Sequence, residues 1–296
     1  MSDLFERPPF RVVTFGHINP IPLMRENILS FFSIGKKIAL DFLLPPVCLS
    51  CFAPTGQAKL LCTQCFAQLS FISEPFCPLC ALPLPFSLDP PPTTLLKTET
   101  PSNPASPCPS CEQAPPPWAQ ARAALLYDEA AKKIILPLKY ADRTELAPFL
   151  ANILAMVGKD MLSQYHALVP VPLHKTRLRQ RYYNQAALIG HSLSKVTGLP
   201  LIVDGLIRNK KTPSLEGLNR QERTIIMTDA IHINPQRQAA LLNKKIILID
   251  DIMTTGATLT ACCQALAPLT EYKPAILVMA RTPPPDIARP YKESLT

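Results

Sequence analysis

Residues 246–259, Ile-Ile-Leu-Ile-Asp-Asp-Ile-Met-Thr-Thr-Gly-Ala-Thr-Leu, constrain the fold of this chain more than any other stretch. Four consecutive apolar residues, Ile246 to Ile249, suit a strand buried on both faces, the pattern of a parallel sheet covered by helices. Asp250 and Asp251 follow at the strand's carboxyl end, where open α/β sheets place their ligands. Thr254, Thr255, Gly256, Ala257 and Thr258 then form a small hydroxyl-rich turn opening a helix predicted to run to about Ala267. Backbone N–H groups and hydroxyls at such a turn suit an anion, and the neighbouring carboxylates suit sugar hydroxyls or Mg²⁺. A phosphate, a sugar diol and a metal held together describe a phosphoribosyl ligand. The plainer alternative is a strand ending in an acidic turn, with a Thr capping the next helix.

Eight of the 10 cysteines form four Cys-x-x-Cys pairs: Cys48/Cys51, Cys62/Cys65, Cys77/Cys80 and Cys108/Cys111. Two thiolates at this spacing grip one tetrahedral Zn²⁺ from a tight turn, and two pairs complete the shell. Disulfides and redox-active pairs are the alternatives. Nothing in the sequence suggests export, and thiols in a reducing compartment stay reduced; four pairs together favour structural zinc. Sequential pairing, Cys48 to Cys65 and Cys77 to Cys111, is expected, with a cross-braced arrangement or one degenerate site as the alternatives. Seventeen of the 34 prolines fall between Pro45 and Pro117, so this module is loop-rich, and metal would supply much of its folding energy. Cys262 and Cys263 are expected as core residues of the helix after the turn.

The chain of 296 residues is 47% hydrophobic, enough for one large or two ordinary domains with a packed core. Its net charge of +8 is concentrated between Pro170 and Arg223, where ten Lys or Arg face only Asp204, Glu216 and Glu222. Such a basic face suits a polyphosphate, single-stranded nucleic acid, or both; a merely solvated surface is the alternative. The N-terminus lacks a basic region followed by an apolar core, and Ile28 to Val47 carries Lys36, Lys37 and Asp41, so neither a signal peptide nor membrane insertion is expected. A cytoplasmic location follows. Residues 1–27 are expected as a poorly ordered extension, with Met24 an alternative start. Residues 28–117 are expected as a helix leading into the zinc module, and 118–296 as an α/β domain. In that domain Ala121–Tyr127, Ala167–Val171, Pro200–Val203, Lys245–Ile249 and Ala275–Ala280 suit strands. Glu129–Lys139 (interrupted at Pro137), Glu145–Val157 and Asn184–Lys195 suit helices. Strands alternating with helices imply a mostly parallel sheet. His174–Arg181 is a dense basic run, and Leu206–Arg223 is expected as a flap.

The Asp-Asp and Thr-Thr-Gly-Ala-Thr pattern resembles the phosphoribosyl-pyrophosphate (PRPP) motif of type I phosphoribosyltransferases. The order of landmarks from about Leu29 to Thr282 resembles the competence-type ComF/GntX family. These are Phe42–Cys51, the further cysteine pairs, Pro115–Trp118, Leu138–Tyr140, Val169–Leu173, Arg177–Gln185, Arg208–Pro213, the acidic pair with its turn, and Ala280–Arg281. The resemblance implies a type I phosphoribosyltransferase-like sheet flanked by helices, behind a small zinc module. It implies that the turn holds a 5-phosphate and that Asp250 and Asp251 face the ribose hydroxyls and support Mg²⁺ indirectly. The loop around Val171, with Lys175 and Arg177, would line the pyrophosphate; Lys139 and Arg220 or Arg223 would add charge from the sides. It further implies PRPP as substrate or ligand, and single-stranded DNA and other DNA-uptake proteins as partners. Three functions are compatible: a PRPP-binding protein of DNA uptake and natural transformation, with Tyr182-Tyr183 stacking on bases; a phosphoribosyltransferase acting on an unknown nitrogenous base; or a non-catalytic PRPP sensor. Two departures stand out. Tyr182 occupies a position where the family usually has glycine, and Leu215 and Ile225-Ile226 replace the family's polar residues around the flap.

Overall fold

The computed structural model describes residues 45–84, 106–209 and 229–283. The expected extension, the helix before the first cysteine pair, most of the proline-rich stretch and residues 210–228 of the flap lie outside them. The described residues from Pro46 onward form one compact unit. The elements are α1 (Thr63–Ala67), α2 (Pro109–Gln113), β1 (Gln120–Leu126), α3 (Glu129–Tyr140), α4 (Leu146–Val157), α5 (Lys159–Gln164), β2 (Ala167–Pro170), α6 (Lys175–Arg181), α7 (Gln185–Thr197), β3 (Leu206–Arg208), β4 (Ile231–Ile233), α8 (Gln238–Leu241), β5 (Ile246–Met253), α9 (Ala257–Leu266) and β6 (Ala275–Arg281).

Four strands form a parallel sheet in the order β1-β6-β5-β2. Its two faces divide the apolar runs between them. Ile246 and Leu248 of β5, with Ile276 and Val278 of β6, pack against α8, α9, β3, β4 and the second cysteine cluster. Ile247, Ile249 and Leu277 point the other way, into a core built from Ile134 and Leu138 of α3, Leu150 and Leu154 of α4, and Ile189 and Leu193 of α7. Both faces exclude water, which is why these strands read as unbroken apolar runs rather than alternating ones.

Several boundaries differ from the sequence expectation. Strand β5 does not stop at Ile249: β6 continues beside it, pairing Asp250 with Val278 and Met253 with Arg281, so both aspartates lie within the strand. The Pro200–Val203 strand reduces to one bridge, Leu201 to Leu168, because the chain turns away at once. Helix α3 runs through Pro137 to Tyr140; the proline removes one hydrogen bond near its end, but Ile134, Ile135 and Leu138 remain buried on one face. The basic run forms α6, started by His174, whose Nδ1 accepts from the Thr176 N–H at 3.2 Å. The start of the expected flap is a strand, β3, paired antiparallel with β4. Among the described residues no helix is long and apolar enough to cross a membrane.

Candidate functional site

Two features build the site: a cleft at the carboxyl ends of β2 and β5, and the turn after β5. The cleft has a volume of about 470 Å³ and brings together Lys139, Val171, Arg177, Arg208, Asp250, Asp251, Thr254 and Thr258. A second hollow of about 30 Å³ sits at the turn itself, lined by Thr254, Thr255, Gly256, Ala257 and Thr258. Lys175 belongs to neither; its side chain is exposed. Arg220 and Arg223 lie outside the described residues.

At the cleft floor Lys139 Nζ meets Asp251 Oδ2 at 2.9 Å, with both side chains largely removed from water. Burial alone would lower the Lys139 pKa, but Asp251, and then Asp250, turn the net shift upward. Asp250 differs. Burial, and next the charge of Asp251, push its pKa up to about 7, although its Oδ1 accepts the Asp251 N–H at 2.9 Å. Asp251 therefore has a resident cation, whereas burial beside that carboxylate disfavours ionisation of Asp250. Arg208 is buried beside them; burial and then the nearby charge of Arg177 hold its pKa below the ordinary value.

Glycine is required at position 256 for two reasons. Its φ of +78° is left-handed, and a Cβ there would lie 2.8 Å from Cη2 of Trp118. With this glycine as N-cap, the first N–H groups of α9 face the hollow beside Thr255, whose Oγ1 accepts from Ala257 N at 3.4 Å. Opposite, Asn184 fixes the Val169–Leu173 loop. Its Nδ2 donates to the Val171 carbonyl at 2.9 Å, while its Oδ1 caps α7 by accepting from Ala186 N and Ala187 N. Asn184, Arg181, Arg208 and Tyr140 line the cleft but were not among the predicted site residues. An Asn immediately before a helical run is the available signal for Asn184; Tyr140 belongs to the Leu138–Tyr140 landmark, and the end of α3 brings it to the cleft.

The aromatic pair in the basic run divides. Tyr183 turns inward and its hydroxyl donates to the Leu138 carbonyl at 2.9 Å. Tyr182 is 85% exposed and ends α6 with φ 61°, the left-handed position that favours glycine. The backbone thus keeps the conformation of a glycine without having one. Arg181, half-buried, lies over the exposed Tyr140 ring at 4.9 Å, and both line the cleft; the exposed Tyr182 follows Arg181 in the chain but is not part of the cleft lining.

The eight cysteines gather sequentially into Cys48, Cys51, Cys62 and Cys65, and Cys77, Cys80, Cys108 and Cys111, the sulfurs of each set lying within 4.8 Å of one another. Sulfurs bound to Zn²⁺ at 2.3 Å in a tetrahedron stand about 3.8 Å apart. The Cys51–Cys62 and Cys80–Cys108 separations, 3.7 and 3.6 Å, match that edge. N–H groups point at sulfur in both sets: Cys62 N to Cys48 Sγ at 3.2 Å and Cys108 N to Cys77 Sγ at 3.3 Å, which favours thiolate. All four residues of the second set are buried, whereas Cys51 of the first is exposed. Four thiolates per site leave no open position, so the metal's role is structural. Cys262 and Cys263 are buried in the core and belong to neither cluster.

The chain is similar in part to known proteins. The model of the double zinc ribbon domain matches residues 39–112. Competence protein F of Haemophilus influenzae is 26% identical over 75% of this chain and 91% of its own length. The DNA utilization protein YhgH of Escherichia coli K12 is 24% identical over the same shares, and competence protein ComFC of Bacillus subtilis is 26% identical over 70% and 77%. Among solved structures, adenine phosphoribosyltransferase of Thermoanaerobacter pseudethanolicus superposes with a TM-score of 0.33 at 15% identity, covering 48% of this chain and 72% of that one. With a zinc-ribbon module ahead of a helix-flanked parallel sheet, the chain is similar to competence protein F, ComFC and YhgH over about three quarters of its length.

Proposed function

We propose that the cleft binds PRPP with Mg²⁺, and that the chain serves the handling of single-stranded DNA during DNA uptake, in the cytoplasm, where its thiols remain free to hold zinc. The observation that carries this reading is the meeting of an anion-binding turn, an acidic pair and arginines in one cleft. In it the N–H groups at the start of α9 and the hydroxyls of Thr254, Thr255 and Thr258 receive the 5-phosphate. Asp250 and Asp251 accept from the ribose hydroxyls, with Lys139 fixing the orientation of Asp251. The loop around Val171, held by Asn184, offers its backbone to the pyrophosphate, and Arg177 and Arg208 balance its charge. Mg²⁺, when bound, neutralises the diphosphate; since Lys139 already occupies Asp251, Asp250 is the carboxylate left to support it.

The DNA side is supported by the names of the relatives, competence protein and DNA utilization protein, and by Tyr140 and Arg181 at the cleft with the exposed Tyr182 next in the chain. Exposed aromatics beside arginines stack bases without sequence preference. A transferase acting on a nitrogenous base, or a PRPP sensor, would use the same cleft. Calorimetric titration of Mg²⁺-PRPP into wild type and into an Asp250→Asn/Asp251→Asn variant tests the ligand. Saturable binding lost in the variant is expected; a folded, zinc-loaded wild type that binds nothing rejects the proposal. Pyrophosphate release across a panel of bases then separates a transferase from a sensor.

A further inference from the structure

We infer that Trp118 and Arg281 clamp the second cysteine cluster to the phosphate turn, so that metal in that cluster and ligand at the turn raise each other's affinity. Both residues are buried, at 4% and 8% exposure, and both bridge the same two places. The indole Nε1 of Trp118 donates at 2.6 Å to the carbonyl of Leu79, inside the Cys77-x-x-Cys80 knuckle, while the ring's far edge occupies the space a Cβ on Gly256 would need. Arg281 Nε donates at 2.9 Å to the carbonyl of Cys80. Its Nη1 donates to the carbonyls of Met253, at 3.0 Å, and Thr254, the residues that lead into the turn, and to that of Thr282.

The Arg281 guanidinium donates to carbonyls. A buried cation solvated by carbonyls from two segments holds those segments together, since moving either removes part of its solvation. The knuckle in turn is held by the metal, because Cys77 and Cys80 are half of its ligand set. Among the described residues, the hydrogen bonds of Trp118 and Arg281 to the cysteine module go to Leu79 and Cys80 of the second cluster rather than to the first. Coupling between two sites is reciprocal, and factors of about 5–150 are usual.

This inference rests on the turn binding phosphate, but its test does not depend on that alone. The zinc-loaded full chain is mixed with a chromogenic chelator and the release of each zinc equivalent is timed in wild type, Gly256→Ala and Arg281→Lys. Amide hydrogen exchange is followed in residues 253–259 and, as a control, in α4. Neither substitution replaces a cysteine. Both are expected to speed loss of the second-cluster zinc about tenfold, leaving the first-cluster zinc and α4 unchanged. Saturating Mg²⁺-PRPP is expected to slow second-cluster release from wild type by a similar factor, and removal of that zinc is expected to quicken exchange in 253–259. Second-cluster zinc leaving both variants at the wild-type rate overturns the clamp, as does a general loosening that frees both zincs and α4 together. If wild type binds no PRPP while the variants still lose the second zinc selectively, the ligand assignment fails and the clamp stands.

Discussion

Asp250 makes the cleft's chemistry visible in solution. Its pKa is raised from the ordinary aspartate value of 3.8 to about 7, so between those limits the folded chain holds a proton that the unfolded chain has released. Stability from this group is therefore greatest at low pH and declines as pH rises through that window. Asp250→Asn removes the penalty: denaturant unfolding of the ligand-free protein at pH 8 is expected to show a gain on the order of 2 kcal/mol, shrinking toward pH 5. Mg²⁺-PRPP binding by wild type has the opposite slope, strengthening as pH passes about 7, which calorimetry at several pH values will detect. Tyr182 gives a second pair of opposed effects. Replacing it with glycine relieves the left-handed strain and is expected to stabilise the fold by about 0.5–1 kcal/mol. The same change removes the proposed stacking surface, worth about 1–3 kcal/mol per base, so single-stranded oligonucleotide binding, read by fluorescence anisotropy, should weaken. The turn residues were legible because their chemistry is contiguous in sequence. Asn184, Arg208 and Tyr140 were harder to assign because the cleft collects them from separate elements, and only the fold says which basic side chains face inward. Lys175 and Arg177 are two residues apart at the start of α6, yet only Arg177 lines the cleft.

Among the elements, the central strands were readable because burial on both faces leaves only apolar residues. The boundaries were not, because they depend on partners. Strand β5 outlasts its apolar run by four residues because β6 lies alongside it, and Pro200–Val203 fails to become a strand because the chain turns at residue 203. The cysteine clusters were readable as ligand sets from spacing, but their unequal shielding was not. That difference has a consequence for metal removal. Cys51 is exposed whereas every cysteine of the second set is buried, so a chelator should strip the zincs in two phases, the first cluster's leaving sooner. Cys51→Ser should abolish the fast phase and keep the slow one in the same colorimetric assay.

At the scale of the whole molecule, charge and edges matter. Arg177, Arg179 and Arg181 stand on one short helix beside the cleft, and three phosphate contacts imply a slope of about −2 when log affinity for single-stranded DNA is plotted against log salt. Arg179→Ala, on the exposed side, should flatten that slope while leaving PRPP titrations unchanged. The sheet's outer strands were invisible as such in the sequence, since strand order is a property of crossovers. One outer edge, β2, is covered by hydrogen bonds with Pro200 and Ile202. The other, β1, is covered by the cysteine module: Ile72 N donates to Ala124 O, Leu126 N to Ser70 O and Ala121 N to Pro78 O. A strand as apolar as Ala121–Leu126, uncovered, is a template for other chains. The zinc module is thus also a guard against self-association. Chains synthesised under zinc starvation should scatter light and form soluble oligomers through β1 before they lose their helices, and zinc limitation would then reach the cell as aggregated protein.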